Sequence, residues 1–93
     1  MTHLGFIETT QTFAATDEAG SFTVAGPSGT RRAFIVTADV VVHLARNAAA
    51  TTDSMMIPAN TPVSISAFGG DSIGYVKGDG EDDGSLYVTL TDR

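Results

Sequence analysis

The chain has 93 residues and a mass of 9.6 kDa, which is enough for one domain but too little for two hydrophobic cores. Its 5 Lys and Arg residues against 11 Asp and Glu residues give a net charge of −6, the wrong sign for a protein that binds nucleic acid by neutralising phosphates. The sequence has no Cys, which excludes disulfides, thiolate zinc sites and a cysteine nucleophile.

The first nine residues predict an N-terminal arm. Residues 1–9 place Leu4, Phe6 and Ile7 around a glycine, which is too few apolar residues for a packed strand and too many for a solvated tail. We expect this arm to dock on a partner and residues 10–93 to form a single β domain. Because the start of the chain lacks a basic and then apolar order, and no stretch reaches the roughly 18 apolar residues of a membrane span, we expect a soluble, unprocessed protein with no membrane partner.

Residues 10–93 alternate apolar and polar side chains with the period of two that is typical of β-strands. Charged residues make up only 17% of the chain, and the abundance of Thr, Val and Ile favours strands over helices and over disorder. In chain order, strands are predicted at residues 10–15, 21–24, 33–37, 40–45, 63–68, 73–76 and 86–91. Turn residues separate them at Gly20 and at residues 26–29, 59–62, 69–71 and 78–84.

This spacing predicts an all-β fold, a small antiparallel β-sandwich or barrel that is jelly-roll-like and has about 7–8 short strands. Four aromatic residues are predicted to lie in its core: Phe13, Phe22, Phe34 and Tyr75. Met55 and Met56, which precede Pro58, have two interpretations. They belong either to the same core or to an apolar contact with a partner.

Arg31 and Arg32 are the only adjacent basic pair in the chain and stand at the start of a predicted strand. A nucleic-acid surface needs more basic residues together with exposed aromatic residues. We therefore expect no nucleic-acid partner, and we interpret the pair as a contact with acidic groups of a neighbouring subunit.

The acidic stretch from Asp79 to Asp83 is a candidate calcium loop, because carboxylates around a glycine turn can surround a hard cation. With Asp79 as the first position of an EF-hand loop, the twelfth is Leu90, where the motif needs a bidentate Glu. The EF-hand interpretation therefore fails. We interpret the stretch as a solvated hairpin tip whose charge opposes aggregation, with weak cation binding as the alternative, and we assign no metal and no cofactor.

No pattern in the chain predicts catalysis. His43 is a possible general base, but the chain has no Gly-x-Ser-x-Gly elbow and no glycine-rich loop followed by Lys in the spacing of a P-loop. His43 lies on the alternate face of a predicted strand whose other face is apolar, so we interpret it as an ordinary surface or interface histidine. We expect the protein not to be an enzyme.

Residues 34–91 contain an ordered set of sequence pieces: a valine-rich strand, a short Ala-Thr stretch, a segment of the form IPAN before an extended strand, and a closing strand of the form GTLYVT. In this chain the pieces are residues 40–42 (VVV), 50–53 (ATTD), 57–63 (IPANTPV) and 84–89 (GSLYVT). With these pieces in this order, residues 34–91 resemble small proteins encoded in the structural gene clusters of tailed bacteriophages and prophages. It departs from them in its N-terminal third and in the acidic insertion at residues 78–84.

The resemblance implies a structural bacteriophage virion protein, in the first place a capsid decoration or cement protein that binds the outer head surface and stabilises it. On this hypothesis the partners are the major capsid protein and further copies of the chain in a homotrimer. The protein would be made in the host cytoplasm and located on the phage head. The alternatives are a neck or tail accessory protein and a carbohydrate-binding module, although such a module favours exposed Trp or Tyr and the chain has no Trp and only 2 Tyr.

Overall fold

The computed structural model describes residues 7–91, with side chains from residue 10 onward, as eight β-strands without a helix. None of these residues forms a helix that could cross a membrane. The strands in chain order are β1 (Ile7–Ala15), β2 (Gly20–Thr23), β3 (Arg31–Ala38), β4 (Val42–Arg46), β5 (Met55–Ile57), β6 (Val63–Phe68), β7 (Ser72–Lys77) and β8 (Gly84–Thr91).

The strands form two antiparallel sheets, with the orders β1-β8-β3-β6 and β2-β7-β4-β5. The first strand pairs with the last, the second with the seventh, the third with the sixth and the fourth with the fifth. The chain is therefore one long hairpin, with its tip between β4 and β5, that is wrapped into two facing sheets. This is the strand order of a jelly roll, and it confirms the predicted all-β sandwich.

The core lies between the two sheets and follows the predicted alternation. Its largest fully buried side chains are Phe34, Ile57, Leu86, Val36 and Val42. An aromatic cluster joins the sheets: the ring of Phe13 stacks on Phe22 at 5.2 Å between centroids and lies 5.6 Å from Tyr75. The predicted aromatic core is confirmed, since Phe34 meets the edge of Phe22 at 6.1 Å.

The first strand begins earlier than the sequence predicts. β1 starts at Ile7, which pairs with Thr91, so residues 7–9 extend the β domain and the predicted boundary of the arm after residue 9 is wrong. The pairing register shifts between Ile7 and Thr10, and such an irregularity breaks the alternation by which a strand is predicted. Leu4 and Phe6 lie outside the described residues.

Two further differences concern Met55–Ile57 and Gly20. Met55–Ile57 forms the short strand β5, in which Ile57 is buried in the core while Met55 and Met56 are 53% and 56% exposed. The core interpretation is therefore wrong for both methionines. Gly20 begins β2 instead of ending a turn, and a Cβ there would lie 2.7 Å from the ring of Tyr75.

The connection between β4 and β5 covers the outer face of the second sheet. A Cβ on Gly74 would lie 2.5 Å from the carbonyl oxygen of Ala48, so glycine permits the connection to approach β7. Beneath it, His43 is only 8% exposed, and its Nδ1 donates a hydrogen bond to the carbonyl of Ser54 at 2.9 Å. The predicted surface position of His43 is therefore wrong, because a distant segment of the chain covers it.

Candidate docking site at one end of the sandwich

Successive strands run in opposite directions, so the connections alternate between two ends of the sandwich. We call one end the arm end: it holds the start of β1 and the connections β2–β3, β4–β5 and β6–β7. We call the other the acidic end: it holds the connections β1–β2, β3–β4, β5–β6 and β7–β8. The two ends differ in charge and in the residues that they present.

Negative charge concentrates at the acidic end. Its connections carry Asp17, Glu18, Asp39, Asp79, Glu81, Asp82 and Asp83. The cation beside them is Lys77 at the end of β7, whose ammonium lies 2.8 Å from the Asp83 carboxylate. That hydrogen bond, together with the charges of nearby aspartates, raises the pKa of Lys77.

Carboxylates of the acidic end accept hydrogen bonds from backbone N–H groups at different positions of the chain. The backbone N–H of Ser85 donates to Asp39 at 2.7 Å, and that of Val41 donates to Glu81 at 3.3 Å. Among the described residues, no group of three His, Cys, Asp or Glu side chains is placed to hold a metal ion. The acidic stretch therefore fits a solvated tip that is tied to its neighbours.

We expect millimolar calcium to leave the melting temperature of the protein unchanged. A bound cation would stabilise the folded state by mass action, but Glu81 and Asp83 are already engaged in different directions, with Val41 and with Lys77. Thermal unfolding monitored by circular dichroism, with and without calcium, measures this. A rise of several degrees with calcium, absent with the same ionic strength of sodium chloride, would revive the cation site.

The arm end brings together the residues predicted to contact a partner. Ile7 begins β1, Arg31 and Arg32 begin β3, and Met55 and Met56 begin β5. In the sequence these residues are scattered over about half of the chain, and only the strand order places them at one end. Leu4 and Phe6, outside the described part, directly precede Ile7.

The two adjacent arginines have different environments. Arg31 is exposed and pairs in register with Phe68 of β6. Arg32 is partly buried, and its guanidinium donates to the carbonyl of Ala25 at 3.2 Å. A side chain at Gly26 would collide with the same guanidinium. Arg32 therefore braces the β2–β3 connection, and Arg31 is the one that faces outward.

Sequence reasoning missed two residues beside Arg31. The guanidinium of Arg46 lies 5.8 Å from the centre of the Phe68 ring, which is 39% exposed. Arg31 and Arg46 are thus both beside one exposed aromatic ring. The sequence could have predicted the exposure of Phe68, because this residue falls on the polar face of an alternating strand. No sequence pattern indicates the position of Arg46.

Asp71 ties the connections of the arm end together. Its carboxylate accepts hydrogen bonds from the backbone of Phe68 at 3.0 Å and from the amide of Asn47 at 3.3 Å, and it pairs with Arg46 at 3.3 Å. Its carbonyl accepts from the backbone of Val24 at 2.8 Å. The hydrogen bond from Phe68 is the main cause that lowers the pKa of Asp71 below its ordinary 3.8. Sequence reasoning placed Asp71 only in a turn.

We expect Asp71→Asn to reduce the acid sensitivity of the fold. Because the pKa of Asp71 is lowered in the folded state, its ionised form stabilises the fold above the ordinary value of 3.8, and this contribution is lost as pH falls through the lowered pKa. The difference in unfolding free energy between wild type and variant should therefore shrink between about pH 5 and pH 2. Urea unfolding across this range measures it, with Asp53→Asn, an exposed aspartate at the same end, as the control. A constant difference would contradict the role of Asp71.

An apolar groove opens between the sheets beside the start of β1. It has a volume of about 260 Å³ and is lined by Gln11, Phe22, Thr23, Val24, Ala25, Phe34, Val88 and Leu90. Its lining brings no acid, base or nucleophile together. The groove can accept an apolar side chain.

The fold and these contacts define a jelly-roll β-sandwich with an acidic end and an opposite end that carries exposed arginines, methionines and a phenylalanine. Comparisons of the chain with protein-family models, with curated proteins and with solved structures found no match.

Proposed function

We propose that the protein is a structural component of a bacteriophage virion, a decoration protein that attaches to the outer surface of the head and stabilises it. The resemblance of residues 34–91 to small phage structural proteins supports this proposal. The jelly-roll strand order supports it as well, because viral capsid proteins use this architecture repeatedly.

One observation carries the proposal: the candidate contact residues share the arm end, and the acidic side chains lie mainly at the opposite end. A protein that must attach in one orientation needs two such unlike ends. The arm end offers exposed Arg31, Met55 and Met56 at the same end of the sandwich as the start of β1. Arg and Met occur often in protein interfaces, whereas Asp and Glu are rare there. In this molecule most of the Asp and Glu residues lie at the acidic end.

The proposed mechanism is adhesive. The arm and the arm end bury surface on the major capsid protein, and the acidic end faces the solvent. A single small contact of this kind is weak, but a homotrimer would bind the shell through several contacts at once and raise the overall affinity. Many bound copies would then stabilise the expanded shell by mass action, because they bind the assembled state and not its separated parts.

A carbohydrate-binding module finds less support. Such a site needs aromatic rings on one accessible face, and the exposed large aromatic residues of the described chain are Phe68 and Tyr87. Phe68 is at the end of β6 beneath Arg46, while Tyr87 lies in β8 between Thr12 and Thr37. The two rings do not form a platform. A position at the neck or tail is compatible with every contact described above. The number of copies per virion distinguishes it from a position on the head.

The proposal is tested by mixing the purified protein with expanded heads of its phage that lack the decoration protein. Sedimentation of the heads followed by quantitative gel analysis gives the number of bound copies per head. Hundreds of copies per head, saturating at the symmetry-related positions of the shell, are expected. A dozen copies or fewer would assign the protein to the neck or tail, and the absence of binding to heads and tails alike would overturn a virion role.

A further inference from the structure

The two edge strands on one side of the sandwich contain no charged residue. β5 and β6 are the edge strands of the two sheets on this side. The whole segment from Ser54 to Gly70, which contains both strands, has no Asp, Glu, Lys or Arg. We call this surface the β5–β6 side. In a chain with a net charge of −6, a segment of this length without charge is typical of the central part of a protein interface, where charged residues are depleted.

The β5–β6 side is also apolar. Met55, Met56 and Phe68 are three of the four large hydrophobic residues that are exposed in the described chain. Val63 and Ile65 of β6 pack against the core but remain partly exposed. Where the end of β6 meets the start of β3, a pocket of about 210 Å³ is lined by Arg31, Ser66, Ala67 and Phe68. This pocket is large enough for an apolar side chain of a partner.

β6 is an edge strand without the usual protection against pairing. Among the described residues it pairs only with β3, over six residues in regular register, and it contains neither a charge nor a proline. The other edges are protected: the pairing of β1 is interrupted by a register shift, while β2 and β5 have only 4 and 3 residues. β6 therefore offers free backbone N–H and C=O groups to a further strand.

We propose that the β5–β6 side is the surface through which the chain associates with further copies of itself. Each copy carries a net charge of −6, so two copies repel each other over most orientations. The uncharged side is where this repulsion is weakest, and the exposed Arg31 at its rim adds the opposite sign. A second copy also supplies an uncharged apolar surface of the same kind. This inference goes beyond attachment to heads and does not depend on it.

Self-association through this side leaves the arm available for another partner. β1 and β6 are the opposite edges of one four-stranded sheet, so they lie about 14 Å apart at the usual spacing of strands. A second copy on the β6 edge therefore does not cover the start of β1. Arg31, Met55 and Met56 lie where the arm end and the β5–β6 side meet. The two contacts are therefore tested by changes outside these residues: deletion of the arm for head attachment, and substitutions in the middle of β6 for self-association.

The test is the mass of the protein in solution, measured by analytical ultracentrifugation without heads. The variant Ser64→Lys with Ser66→Lys adds two positive charges to the β5–β6 side at exposed positions of β6, outside the residues assigned to head docking. The control variant Thr12→Lys with Thr10→Lys adds the same charge at exposed positions of β1, on the opposite edge. Circular dichroism melting verifies that both variants are folded.

Wild type and control are expected to sediment as a multiple of the 9.6-kDa chain, whichever closed symmetry the copies adopt. The β5–β6 variant is expected to associate about tenfold more weakly or not at all, because it buries unpaired charge. A monomeric wild type at micromolar concentration would overturn the inference. An unchanged mass of the folded β5–β6 variant, or dissociation of the control to the same extent, would overturn it as well. Neither result would bear on head attachment, which is measured separately.

Discussion

Deletion of residues 2–6 should abolish attachment of the protein to phage heads and leave the sandwich folded. The deletion ends before Ile7, so the pairing of β1 with β8 is retained from Ile7 to Ala15. The core cluster of the described residues, 7–91, is left intact. Attachment should fall because the deletion removes Leu4 and Phe6, the apolar side chains that we expect to dock. Sedimentation with heads measures attachment, and far-UV circular dichroism with thermal melting measures the fold.

Point variants test whether attachment depends on the apolar side chains of the arm or on the length of the arm. Leu4→Ser together with Phe6→Ser should weaken attachment nearly as much as the deletion, because burial of each side chain contributes about 1.5–3 kcal/mol. His3→Ala changes a residue of the same segment and should have little effect. Attachment that survives both the deletion and the double substitution would show that the arm is not the docking element.

Leu86→Ala should be among the most destabilising single substitutions in the chain. Leu86 is fully buried between the sheets, and removal of a buried leucine side chain costs about 3 kcal/mol or more. A domain of this size has a total stability of about 5–14 kcal/mol, so the melting temperature should fall by roughly 12 °C or more. Thermal and urea unfolding measure the loss.

Tyr87→Ala is the matched control for Leu86→Ala. Tyr87 is the next residue of β8, on the outer face of the sheet, and is 37% exposed. Its loss removes cross-strand contacts with Thr12 and Thr37, which are worth about 1 kcal/mol or less. Equal losses for the two variants would contradict the assignment of one inner and one outer face to β8.

The sequence predicted the regular part of this fold because burial on one face of a sheet imposes a period of two. β3, β6 and β8 follow that period, and their inner residues form the core. β5 was missed because three residues are too few to show alternation. The start of β1 was missed because a register shift interrupts the pattern. Local signals of this kind reveal strands, but the order of strands depends on pairing between distant segments.

The candidate site was predicted only in part for the same reason. Arg31, Met55 and Met56 stood out as single residues, but their common location at the arm end follows from the strand order. The roles of Asp71 and Arg46 were not predicted, because their contacts join connections that are far apart in the chain. The burial of His43 likewise depends on a covering segment that local alternation does not reveal.

The distribution of charge is equally invisible in the sequence. A net charge of −6 describes the whole chain, whereas the fold collects Asp17, Asp39 and the stretch at residues 79–83 at one end. The arginines of β3 and β4 are at the other end. The two ends of the molecule therefore differ in charge. An adhesive protein of the proposed kind needs such a difference to attach in one orientation.

The orientation of the protein on the shell tests the proposed function most directly. Electron cryomicroscopy of expanded heads mixed with the purified protein would give this orientation at each symmetry-related position. We predict that the arm end, with the start of β1 and the exposed Arg31, lies against the major capsid protein and that the acidic end points to the solvent. Density with the acidic end against the shell, or heads without bound protein at saturating concentration, would contradict the proposal.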